Sequence, residues 1–132
     1  MWTAQNLKET LLIGAQTILI KRGWADDPFG GPKGEIGILQ ALYQAARGLS
    51  ESYSKSPMFL KRIDNAADQL VDLLDEIARE NLGVTDHQLW GGIVAFDKNK
   101  DKTITDAMEL FAVAKNRCKQ QETKGQKQQW NQ

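Results

Sequence analysis

The chain has 132 residues, 41% of them hydrophobic, which suits one domain with a real core and leaves no room for two full-sized ones. Lysine plus arginine balance aspartate plus glutamate at 17 each, so the basic excess of a protein that grips duplex nucleic acid is missing. One cysteine and one histidine allow neither an intrachain disulfide nor a multi-histidine metal site. No apolar run approaches a membrane span, and the apolar stretches of residues 1–20, broken by Lys8 and Glu9, lack a cleavage pattern. The expected compartment is a reducing cytoplasm.

Leu7, Leu11, Ala15 and Ile18, widened by Leu12 and Leu19, recur at three- and four-residue steps and predict a helix from Thr3, as N-cap, to Arg22. Gly23 suits its C-terminal stop. Gly14 weakens the interior of that helix, and a close helix crossing would explain it. Residues 24–34 hold three glycines and two prolines and read as a loop, with Trp24 and Phe29 available to fold back on the core. A second helix is expected from Glu35 to Leu49, and a polar linker from Ser50 to Ser56. Ser56-Pro57 then opens the clearest helix, whose stripe runs from Phe59 to Ala78 and stops at Gly83. Its acids, Asp64, Asp68, Asp72, Asp75 and Glu76, read as a solvated face.

Thr85 to Gln88 resembles a capping box for a short helix covering Leu89 and Trp90. Ile93 to Phe96 fits helix or extended chain. A polar loop from Asp97 to Thr103 leads to a last helix, from Thr105 as cap to Cys118, with Leu110, Phe111, Val113 and Ala114 inward. Residues 119–132, rich in Gln and Lys, are expected to be a disordered polar tail, in which Trp130 is unusual. The fold class that follows is all-α: residues 1–118 as a compact irregular bundle of four or five helices, with the 24–34 loop folded across one end.

Candidate chemistry is sparse. Asp97, Asn99 and Asp101 occupy the oxygen positions 1, 3 and 5 of an EF-hand calcium loop over 97–108, with Ile104 at the apolar position 8. Lys102 stands where the turn glycine belongs and Met108 where the bidentate glutamate belongs. Lys98, Lys100 and Lys102 also oppose a cation. A polar turn that satisfies its own backbone is the favoured reading, so no metal site and no cofactor are expected. The glycines around Lys33 lack the phosphate-loop pattern, although Lys33 and the first N–H groups of helix two offer an anion a place. His87 as a general base and Cys118 as a nucleophile both lack partners. No catalytic residue is expected.

Three stretches together resemble an uncharacterised family of short helical proteins from bacteria and phages. They are Arg22-Gly23-Trp24, then Gly34 to Leu42, then Ile93 to Asp97 with Thr103 and the Leu110-Phe111 helix. Related sequences often carry a cysteine near the start of the second stretch, which is absent here. In the third they tend to show tryptophan-asparagine-aspartate followed by arginine-threonine, softened here to Phe96-Asp97 and Lys102-Thr103. The resemblance spans most of residues 7–115. It implies a helical fold, makes the calcium-like loop a coincidence, and brings no known activity.

The leading expectation is a non-enzymatic binding or accessory protein, encoded by a phage or mobile element and acting on a host component. One alternative is a binder of a small anionic, nucleotide-like ligand, using Trp24, Phe29, Lys33, Trp90 and Asp97. Another is a calcium-responsive protein using Asp97, Asn99 and Asp101. The partner is a protein or a small molecule, with neither duplex nucleic acid nor membrane expected, and the sequence does not set the oligomeric state. Trp24, Asp97 and the start of helix two are expected to converge, either as a plug and cap or as the border of a pocket.

Overall fold

The computed structural model describes residues 3–25, 30–52, 55–83 and 91–130, with the backbone alone for residues 4, 5 and 121–130. Five helices lie among the described residues: α1 (Ala4–Arg22), α2 (Ile38–Ser52), α3 (Pro57–Leu82), α4 (Gly91–Asp97) and α5 (Ile104–Trp130). Among the described residues there is no strand, only an isolated parallel bridge between Trp24 and Ile36. No helix there is long and apolar enough to cross a membrane.

The apolar stripes predicted from spacing are the ones that meet. Leu7, Leu11, Leu12, Ala15 and Leu19 of α1 are buried with Ile38, Ala41 and Leu42 of α2, Ile63, Leu70 and Leu74 of α3, and Ala107, Phe111 and Ala114 of α5. Ile93 and Phe96 of α4 close the core. Burying the leucine, isoleucine and phenylalanine side chains drives assembly, each contributing about 1.5–3 kcal/mol.

Local signals set most helix ends. Thr3 Oγ1 accepts from the Asn6 N–H at 3.0 Å to start α1. At its end the Gly23 N–H donates to the Leu19 carbonyl at 2.8 Å, with Gly23 at φ +88°. Ser56 Oγ caps α3 through the Phe59 N–H, Pro57 takes the first helical position, and Gly83 ends the helix in the left-handed region at φ +67°. Gly14 has the crossing its position suggested: a Cβ there would lie 3.1 Å from the Ala45 Cβ of α2.

Four boundaries differ from the sequence reading. α2 begins at Ile38 rather than Glu35, because Ile36 is held extended by backbone bonds with Gly23 and Ala25. The same helix continues to Ser52, through residues assigned to the linker. α5 starts one residue early, at Ile104, and its cap is Thr103, not Thr105. The Thr103 N–H and Oγ1 both donate to Asp106 Oδ2, at 2.8 and 3.1 Å, while Thr103 Oγ1 accepts from the Asp106 N–H at 3.4 Å. This reciprocal arrangement is a capping box with aspartate in the glutamate's place. α5 also runs past Cys118 to Trp130. The segment Ile93 to Phe96, open between helix and strand, is helical.

Candidate functional site

Trp24 lies just past the end of α1, where Gly23 turns the chain and the Ala25 N–H bonds the Ile36 carbonyl at 2.9 Å. That bridge brings the indole beside the start of α2. Asp97 arrives from a distant part of the chain as the last residue of α4 and is fully buried. Trp24 Nε1 donates to Asp97 Oδ1 at 2.8 Å. The Ile38 N–H, the first of α2, points between both carboxylate oxygens, at 3.3 and 3.4 Å. Phe96 packs against the indole with ring centroids 5.6 Å apart, and Lys102 Nζ lies 5.8 Å from the other ring's centre, that of Phe96. The three segments expected to converge therefore do so.

Their chemistry is that of a helix cap supplied from outside the helix. The first N–H groups of α2 have no partners within it, and the helix dipole favours an anion there. Asp97 fills that place, and the Gln40 side chain accepts from the Gly37 N–H at 2.9 Å. The Gly37 and Ile38 N–H groups at the seat offered to an anion are thus occupied by the protein's own oxygens. The carboxylate expected as the polar group of a pocket is enclosed and accepts from the Trp24 indole and the Ile38 N–H.

The remaining candidates fall apart in space or in role. Lys33 is exposed, and its N–H is bonded by Glu35 Oε2 at 3.2 Å, in a tight turn around Gly31. Asn99 Oδ1 accepts from the Asp101 N–H at 2.9 Å, and the Lys102 N–H closes on the Asn99 carbonyl. Two of the three calcium-like oxygen groups, Asp97 and Asn99, are thereby engaged with backbone or indole donors. Phe29, Trp90 and His87 lie outside the described residues. Cys118 is buried, and that burial pushes its thiol pKa up, away from nucleophilic character.

A second carboxylate repeats the capping device and was not legible in the sequence. Asp75 of α3 accepts from the Ile93 N–H of α4 at 3.1 Å while its other oxygen accepts from Arg79 Nε at 2.7 Å. Gly92 makes the approach possible, since a Cβ there would sit 2.6 Å from the Asp75 carbonyl oxygen and 2.5 Å from the Arg79 Cγ. Only its glycine neighbour in the chain, Gly91-Gly92, hinted at such contact.

Elsewhere the surface is indented along α3. A cleft of about 220 Å³ lies among Lys8 of α1, Gln69, Asp72, Leu73 and Glu76 of α3, and Cys118 of α5. A second of about 140 Å³ adjoins it, sharing Lys8 and Gln69 and reaching Leu7, Arg62, Asn65 and Ala66. Together they form one groove along a single face of α3. In comparison with known proteins, no family model, no curated sequence and no solved structure matches the chain.

Proposed function

We propose that this is a non-enzymatic binding or accessory protein of the kind found in bacteria and phages, engaging a protein partner through the groove along α3. The resemblance to short helical bacterial and phage proteins is part of this reading, as is action on a host component. The observation that carries it is the groove itself. The most distinctive polar constellation in the chain, Trp24 with Asp97, is spent on holding α2, whereas the groove presents charged and amide side chains to solvent above apolar walls. Concave surfaces with apolar walls and a few polar groups are where partners seat.

A photo-crosslinking residue tests this when placed at Gln69 or Asn65, both exposed in the groove, and separately at Thr17, exposed on the outer face of α1. Discrete adducts in bacterial cells from the groove positions and none from Thr17 are expected. Equal adducts from all three positions would remove the groove from the proposal, as would none from any.

A further inference from the structure

Charges of opposite sign face one cleft without meeting. The cleft of about 220 Å³ has α3 as one bank, with Lys8 of α1 and Cys118 of α5 as the other. Asp72 and Glu76 stand one helical turn apart on the α3 bank, both exposed, with the Gln69 amide beside them. The Lys8 ammonium is close enough to the Cys118 thiol for its field to act there. Among the described residues no ion pair joins Lys8 to Asp72 or Glu76. Arg117 feels Glu76, but its guanidinium is bonded to Glu80. Leu70 and Cys118, both buried, and Leu73, partly buried, make an apolar floor.

A ligand with one sign of charge fits this lining badly. An anion drawn to Lys8 meets two carboxylates, and a cation drawn to the carboxylates meets the ammonium. A molecule carrying both signs gains from both banks, and an aliphatic part on it covers the leucines. The space is smaller than the about 300–1,000 Å³ of pockets for drug-sized ligands, so it suits about ten non-hydrogen atoms. We propose that this cleft binds a small zwitterion of the aliphatic α-amino acid class. Its carboxylate lies on Lys8, its ammonium on Asp72 and Glu76, and its side chain on Leu70 and Leu73. The charged contacts are half in solvent, so the affinity is that of a weak metabolite site, about millimolar. The assignment goes beyond partner docking and does not rest on it. Asn65 lines only the neighbouring cleft, so a partner crosslinked there leaves the zwitterion site to be judged separately.

Nuclear magnetic resonance titration, read at the Gln69 and Leu73 amides, tests this with L-leucine, L-leucinamide and N-acetyl-L-leucine. Leucinamide lacks the carboxylate and N-acetylleucine lacks the ammonium, while the side chain stays the same. Leucine is expected to bind with a Kd of about 1 mM, and each analogue about tenfold more weakly. Lys8→Gln is expected to erase the advantage of leucine over leucinamide and keep that over N-acetylleucine. Asp72→Asn with Glu76→Gln is expected to do the reverse. None of the three side chains is buried, and thermal melts of both variants are expected to match the parent. No shift with leucine up to about 20 mM, or equal binding of the three ligands, would overturn the proposal. Leucinamide matching leucine in the parent would make the cleft a site for simple amines, and N-acetylleucine matching it a site for anions; either overturns the zwitterion. An advantage of leucine that survives both variants would place the binding elsewhere and equally overturn it.

Discussion

Replacing Asp97 by alanine removes one side chain and orphans donors on two other segments. The carboxylate is 0% exposed, with Trp24 Nε1 at 2.8 Å and the Ile38 N–H at 3.3 Å from the same oxygen. Each buried donor left without an acceptor costs about 1–3 kcal/mol. The α2 start also loses an anion near its positive end, worth about 0.3–2 kcal/mol. Because water reaches the half-buried indole more easily than Ile38, the low end of the first range applies to Trp24. Asp97→Ala is then expected to cost about 3–5 kcal/mol, a large share of a small domain's stability. Asp97→Asn keeps one acceptor oxygen for both donors, exchanges two charge-assisted bonds for neutral ones at about 1 kcal/mol each, and should cost about 2 kcal/mol. Urea denaturation followed by far-ultraviolet circular dichroism measures both, and Trp24 fluorescence in the same titration reports the site. If the alanine variant costs less than about 1 kcal/mol, or no more than the asparagine variant, the carboxylate is not acting as a shared cap.

Gly92→Ala is expected to destabilise by about 1–3 kcal/mol, since its Cβ would press on backbone atoms of α3. Gly48→Ala, on the exposed face of α2 with nothing within 4 Å, is expected to stabilise by about 0.4–1 kcal/mol; thermal melts of the pair should move in opposite directions. Asp106 has its carboxyl pKa lowered, chiefly by the Thr103 N–H it accepts. A folded value below the unfolded one means its contribution is full above the ordinary carboxylate range and is lost as pH falls through the lowered folded value. Asp106→Asn should therefore flatten the acid limb of a stability–pH curve and leave the neutral limb's slope alone. The Cys118 thiol, raised by burial, should react slowly with a disulfide reagent at neutral pH and reach the rate of a free thiol only in denaturant.

Helix α3 was legible because its signals are all local: a serine cap, a proline behind it, one apolar stripe and a glycine stop. The start of α2 was not. Glu35 is a good helix former and Ile36 lies beside the apolar stripe of Ile38, so the decision is made by the bridge to Trp24 and by a carboxylate 59 positions away. The α5 cap is written in the chain as Thr103-x-x-Asp106, but Thr105 is an equally good capping residue two positions on, and only the Asp106 contacts separate them. Asp75 was one acid among several on a charged helix, and nothing in its neighbourhood distinguishes an inward-facing carboxylate from a solvated one. The meeting of Trp24 with Asp97 was anticipated because both close conspicuous stretches of a resembled pattern. Their bonding to each other, and the consequent loss of the pocket chemistry assigned to them, required coordinates. The groove along α3 was invisible for another reason: a concavity is made by what three helices leave unfilled, and no single stripe encodes it.

The two outside-supplied caps, Asp75 on α4 and Asp97 on α2, limit how the chain can be divided. Trp24 and Ile38 sit in the first third of the sequence, and the oxygen that satisfies both sits 73 and 59 positions further on. A fragment ending before Asp97 holds α1, α2 and α3 yet leaves the indole and the α2 start unsatisfied. Folding of such a fragment would have to wait for the remainder, whether during synthesis or when separate halves are mixed. Cleavage between α3 and α4 therefore need not abolish the fold, provided the second piece is present: its arrival delivers the carboxylate. Reassembly of two such pieces would make this bundle a split reporter whose halves exchange caps across the cut, Asp75 serving α4 and Asp97 serving α2.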